Sequence, residues 1–114
     1  MAPKPNKIAY KVLTIGEFAA LQSGSFTGAP VDLADGYIHL STATQLTETV
    51  TKHFPGRSDL IIASVDLDAL GETIRWENSR NGALFPHLYG PLLPRHVIAH
   101  CPLTWAADAS VHLP

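Results

Sequence analysis

Residues 60–65 read Leu-Ile-Ile-Ala-Ser-Val, an almost unbroken apolar run with no alternation. Such a strand offers no face to water, so it predicts a central strand covered on both sides. The rest of the chain must then supply its neighbours and its cover. It has to do so in short pieces, because 8 glycines and 9 prolines punctuate its 114 residues. A hydrophobic content of 46% is ample for the single core that a chain of this length builds.

The other elements follow from local pattern. Residues 8–13 are apolar and partly β-branched and predict an opening strand. Thr14 and Glu17 form a capping box for a helix that carries Phe18 and Leu21 and stops at Gly24. Residues 25–36 show no period and are expected as a loop, with Asp32 and Asp35 serving turns. Residues 37–41 alternate strictly: Ile38 and Leu40 face one way, Tyr37, His39 and Ser41 the other. Thr42 and Gln45 make a second capping box, opening a helix with the stripe Ala43, Leu46, Val50 and Phe54 and ending at Pro55-Gly56. Residues 66–70 suggest one helical turn closed by Gly71. Residues 73–77 alternate again, with Arg75 and Glu77 opposite Ile74 and Trp76, and Asn81-Gly82 is a turn signal. Residues 83–93 carry too much proline for a central strand and are expected as a structured loop or edge. A last strand is centred on Val97-Ile98-Ala99, and the chain after Trp105 reads as a loose tail. The sum is an α+β chain: a loose start (1–7), one domain (8–103) and a C-terminal tail (104–114).

Several functions are disfavoured at this stage. A net charge of −2 gives no basic footprint for nucleic acid. No stretch approaches the ~20 apolar residues of a membrane helix. The first seven residues hold no apolar signal core, so a cytoplasmic address is expected. The single Cys101 allows neither an internal disulfide nor a multi-cysteine zinc site, and in its apolar setting it reads as packing. Phosphate loops, dinucleotide fingerprints and nucleophile elbows are absent from the sequence.

Three groups of residues can carry chemistry. His39 lies on a strand that runs into Ser41 and Thr42 at a helix start, where free N–H groups favour an anion or a polarised oxygen; alternatively these residues only cap and brace. Arg75 and Glu77 share a strand face; one can grip a phosphate and the other act as acid or base, or both are solvated charges. His87 and Tyr89 sit in a proline-bracketed segment that holds polar tips in place, or satisfies them internally. His96 and His100, four apart, admit a metal site with Cys101 nearby, but the motifs of zinc enzymes are missing.

The pieces Asp35-Gly36-Tyr37-Ile38-His39-Leu40-Ser41-Thr42, Arg75-Trp76-Glu77 and Phe85-Pro86-His87-Leu88-Tyr89-Gly90-Pro91-Leu92 together resemble the bacterial domain-of-unknown-function family 952, over roughly residues 8–103. That family is grouped with the ADP-ribosyltransferase-like superfamily. The resemblance implies a pair of small mixed or antiparallel sheets with two main helices and a nicotinamide-dinucleotide cleft between the sheets. The Ile-His-Leu-Ser strand is also similar to one in RNA 2′-phosphotransferases, where an apolar strand ending in Val-Asp (here Val65-Asp66) and an Asn-Gly turn (here Asn81-Gly82) follow.

The resemblance makes an enzyme of transferase type the leading expectation, one acting on NAD, ADP-ribose or a phosphorylated nucleotide. Its catalytic residues would be His39, Arg75 and Glu77, with Tyr37, Ser41, Thr42, His87 and Tyr89 binding the ligand and no resident metal. His39 would orient a ribose hydroxyl, Arg75 would meet a phosphate, and NAD is implied by resemblance alone. The superfamily usually carries a His on its first strand, where this chain reads Tyr10-Lys11-Val12-Leu13. That departure supports the alternative of a nucleotide-binding module without turnover. A weaker alternative is a metal-dependent enzyme using His39, His87 and His96 or His100. The expected partner is a small molecule or nucleotide, and the expected state is a monomer.

Overall fold

A computed structural model describes residues 7–78 and 82–114. The order is β1 (Ile8–Thr14), α1 (Ile15–Gln22), α2 (Pro30–Asp35), β2 (Ile38–His39), α3 (Leu46–His53), β3 (Leu60–Asp66), α4 (Leu67–Leu70), β4 (Ile74–Asn78), β5 (Leu84–Leu88) and β6 (Val97–Pro102), with short 3₁₀ turns at Gly71–Thr73 and Pro94–His96. The strands form two antiparallel three-stranded sheets, β1-β3-β6 and β2-β5-β4. The architecture is α+β.

β3 is the central strand of the first sheet, as its composition demands. One face meets the second sheet through Ala9, Leu13, Ala63 and Val65 against Ile38, Leu40 and Leu88. The other face meets α3 through Tyr10, Val12 and Ile62 against Leu46 and Val50. Ile62 and Ala63 are both fully buried, so successive residues of β3 are covered on opposite sides. Thr14 caps α1 as expected, with its hydroxyl accepting from Glu17 N–H at 3.1 Å and the Glu17 carboxylate from Thr14 N–H at 2.9 Å.

Four expectations need correction. The supposed loop 25–36 contains α2, whose Pro30 starts the first turn and whose Gly36 (φ 85°) ends it, the usual asymmetry of a helix. α3 begins at Leu46, a turn later than the capping box suggested, and Ala43 stays exposed. The proline-rich segment is a central strand: β5 lies between β2 and β4. Opposite Pro86 the ladder keeps one bond instead of two: Leu40 N–H donates to its carbonyl at 3.2 Å, and Pro86 has no N–H to return. Finally, the C-terminal segment is anchored rather than loose. Trp105 bridges to Val111, Val111 is buried, and its N–H donates to the Thr47 hydroxyl at 3.0 Å. Residues 1–6 and Asn81 of the expected Asn-Gly turn lie outside the described residues. Among the described residues no helix is long and apolar enough to cross a membrane.

Candidate functional site

The second sheet turns one face to the first sheet and the other outward. Strand register assembles the outward face. His39 pairs with His87, and His87 pairs with Arg75, so three sequence-distant residues form one row across β2, β5 and β4. Glu77 stands opposite Phe85, one diagonal step from His87. That step lets the His87 Nδ1 reach Glu77 Oε1 at 2.8 Å, and the Tyr89 hydroxyl donates to the same oxygen at 2.7 Å. The Arg75 guanidinium lies over the Tyr89 ring at 4.7 Å.

Tyr37 sits at the centre. Its ring is 4.1 Å from that of His87, 4.6 Å from His39 and 5.2 Å from Tyr89, all tilted rather than flat. Tyr37, His39, Arg75, Glu77, His87 and Tyr89 are therefore one cluster. Tyr37 also lines a cleft of about 410 Å³, together with Phe26, Asp32, Leu33, Ile38, Leu88 and Pro91; the other five cluster residues are not in its lining.

Electrostatics separates the two carboxylate–histidine pairs. Hydrogen bonds from His87 and then Tyr89 hold the Glu77 carboxyl below its usual range, so at neutral pH it is an acceptor or base and not an acid. His39 is gripped at both ends: Nδ1 lies 2.7 Å from Asp32 Oδ1 and Nε2 lies 2.9 Å from Asp35 Oδ2. Each ring nitrogen thus has a carboxylate oxygen within hydrogen-bond distance, one on either side of the imidazole.

Two expected members are spent elsewhere. Ser41 and Thr42 are buried; the Ser41 hydroxyl bonds Thr49 at 2.9 Å and that of Thr42 bonds Thr44 at 3.2 Å. The N–H of Gln45 and that of Leu46 donate to the Thr42 carbonyl, and the Thr42 N–H to the Gln45 side chain at 3.0 Å. His96 and His100 belong to the first sheet's side. His96 Nδ1 accepts from Leu93 N–H and burial lowers its pKa, while the His100 ring lies 4.5 Å from Phe18. Among the described residues no three His, Cys, Asp or Glu side chains gather as a metal site. Burial raises the pKa of the Cys101 thiol, as packing would.

Residue-by-residue reading of the sequence missed the centre of this network. Lys11 is buried, its ammonium 2.9 Å from Asp32 Oδ2, and the two side chains are 5% and 1% exposed. Asp32 also accepts from Ala29 N–H, His39 N–H and His39 Nδ1, so it is a hub and not only a turn residue. The signal was present: strand parity puts Lys11 on the buried face with Ala9 and Leu13, where a charge needs a partner. Burial alone pushes the Asp32 carboxyl up, but the bond from His39 and the Lys11 ammonium outweigh it and bring the value to about 2. Burial lowers the Lys11 pKa against the pull of Asp32.

A pH dependence follows. The Asp32 carboxyl is held at about 2 in the fold against an ordinary 3.8, so between these values the unfolded chain binds more protons. The contribution is complete above pH ~4 and lost as pH falls towards ~2, about 2 kcal/mol in all. Chemical denaturation at stepped pH should show stability falling through that window, and a flat profile between pH 5 and 2 would contradict it.

The comparisons agree with this fold. The family described as Protein of unknown function (DUF952) matches residues 13–100. No curated protein matches the chain. The crystal structure of protein CC0527 from Caulobacter crescentus is 44% identical, with 92% of this chain and 93% of that one covered and a TM-score of 0.82. The solution structure of CC0527 is likewise 44% identical, over 92% of this chain and 91% of that one, with a TM-score of 0.77. With more than half its length matched by one family, the chain belongs to DUF952.

Proposed function

We propose that the outer face of the second sheet and the adjoining cleft bind a phosphorylated, nucleotide-type ligand, and that the chain acts on it as a transferase. The single observation carrying this reading is the meeting of Tyr37, His39, Arg75, Glu77, His87 and Tyr89 in one cluster, of which Tyr37 also lines an apolar cleft. The ligand's planar ring enters the cleft against Tyr37. Arg75, exposed and in no ion pair among the described residues, takes the phosphate in a forked contact. The His39 Nε2 edge meets a hydroxyl or anionic oxygen. Glu77, held ionised by hydrogen bonds from His87 and Tyr89, is the carboxylate placed to accept a hydrogen bond from a ligand hydroxyl. The resemblance to ADP-ribosyltransferase-like proteins supports NAD or ADP-ribose as candidates, and two small sheets packed face to face are compatible with that superfamily.

A second reading, a binding module without turnover, is favoured by the internal satisfaction of the cluster: His39 already has a carboxylate on each nitrogen. Product analysis separates the two. Titration with NAD, ADP-ribose and nucleotide phosphates, followed by NMR, should shift Tyr37, His39 and Arg75 signals, and Arg75→Gln should weaken binding roughly tenfold or more. Silence at all three residues with every compound would sink the ligand reading.

A further inference from the structure

We propose that Lys11 and Asp32 are positioning residues for His39, fixing its Nδ1 edge inside the protein so that Nε2 alone exchanges Asp35 for a ligand oxygen. The proposal rests on the ligand reading above only for the identity of the incoming oxygen.

Stability does not account for the buried pair. Burying a lysine and an aspartate together roughly breaks even, at best, against apolar residues of the same size. What the pair does achieve is geometric. Asp32 Oδ1 receives both the backbone N–H of His39 at 3.0 Å and its ring Nδ1 at 2.7 Å. One oxygen chelated by two groups of the same residue restrains the side-chain torsions that set the ring's direction. The Lys11 ammonium, 3.1 Å from that oxygen and 2.9 Å from its twin, holds the carboxylate ionised and in place. Lys11 stands on β1 of the first sheet and His39 on β2 of the second, so the contact also fixes the ring relative to the opposite layer.

The two ends of the ring differ in the freedom of their partners. The Asp32 side chain is 1% exposed and cannot withdraw into water, while that of Asp35 is 45% exposed and can. Both belong to α2, three residues apart and hence about one turn, so a single short helix straddles the imidazole with one fixed and one releasable carboxylate. The group that replaces Asp35 meets the Nε2 edge as that carboxylate does. Its chemistry is that of an anionic oxygen, as on a phosphate or carboxylate, which is what Asp35 itself presents.

The test is long-range ¹H–¹⁵N correlation of the histidine rings at neutral pH, on the full chain without ligand. In the parent protein the His39 Nδ1 proton should be seen, hydrogen-bonded and slow to exchange. Asp35→Ala should leave that proton in place and change only Nε2. Asp32→Ala should abolish it. Because that variant strands Lys11 and can fail to fold, the double replacement Lys11→Met with Asp32→Leu removes both charges together and is the decisive case. Loss of the Nδ1 proton signal in this folded double variant is the expected result. Its survival there, or its disappearance in Asp35→Ala, would overturn the assignment. A failed ligand titration would count against the ligand reading and leave this ring signature standing.

Discussion

Asp32→Ala is expected to destabilise the fold by about 3–5 kcal/mol, the cost of leaving a buried charge without its partner. The Lys11 ammonium would remain, 5% exposed, in a pocket built around a carboxylate. His39 would lose the acceptor for both its backbone N–H and its ring, and Ala29 N–H at the start of α2 would lose its cap. Against a total stability of roughly 5–15 kcal/mol for a domain this size, that is a large share. Lys11→Met combined with Asp32→Leu should recover most of the loss, because two matched apolar groups carry no unpaired charge. Urea denaturation at neutral pH checks both statements. A single variant within 1 kcal/mol of the parent, or a double variant no better than the single, would show that the ion pair is not the hub its contacts imply.

Leu88→Ala should cost about 2–5 kcal/mol, the range for removing a buried leucine. Leu88 is 1% exposed, pairs with Ile38 on one side and Ile74 on the other, and belongs to the core between the sheets. It also lines the cleft, so the same truncation removes part of the wall offered to a ligand. The melting temperature should fall by about 10 °C or more, and any ligand that uses the cleft should bind more weakly. A melting temperature within ~2 °C of the parent would mean that the two sheets lean on each other less than this packing indicates.

How much of this was legible in the residues depends on the range of the cause. Thr14 with Glu17, Asp66 before a single helical turn, and the apolar run of β3 act within a few residues, and they read directly from sequence. The alternation that sets His39, Arg75 and Glu77 apart from their apolar neighbours was likewise visible, but that their strands bring them to one row comes from the register. The centrality of β5 was not. A proline counts against a central strand because it lacks a ladder donor, and that β2 and β4 nonetheless flank it is a property of the pairing rather than of residues 84–88. Ser41 and Thr42 misled for a different reason: hydroxyls beside a helix start look available, but Thr49, 8 positions on, takes the first and Thr44, 2 positions on, the second. Lys11 and Asp32 are 21 positions apart, and nothing local says that a lysine on an apolar strand will find that particular carboxylate.

β2 contains two residues in the second sheet, and two positions later Ser41 exchanges backbone hydrogen bonds with Tyr10 at the edge of the first. A single extended tetrapeptide thus stitches the two layers together, with His39 as its second residue. The sheets cannot breathe apart without unpicking those amides, so the N–H groups of Leu40 and Ser41 should exchange with deuterium in step with one another. Whatever loosens that seam swings the imidazole with it, which makes solvent exchange at these positions a gauge of how firmly the cluster is held.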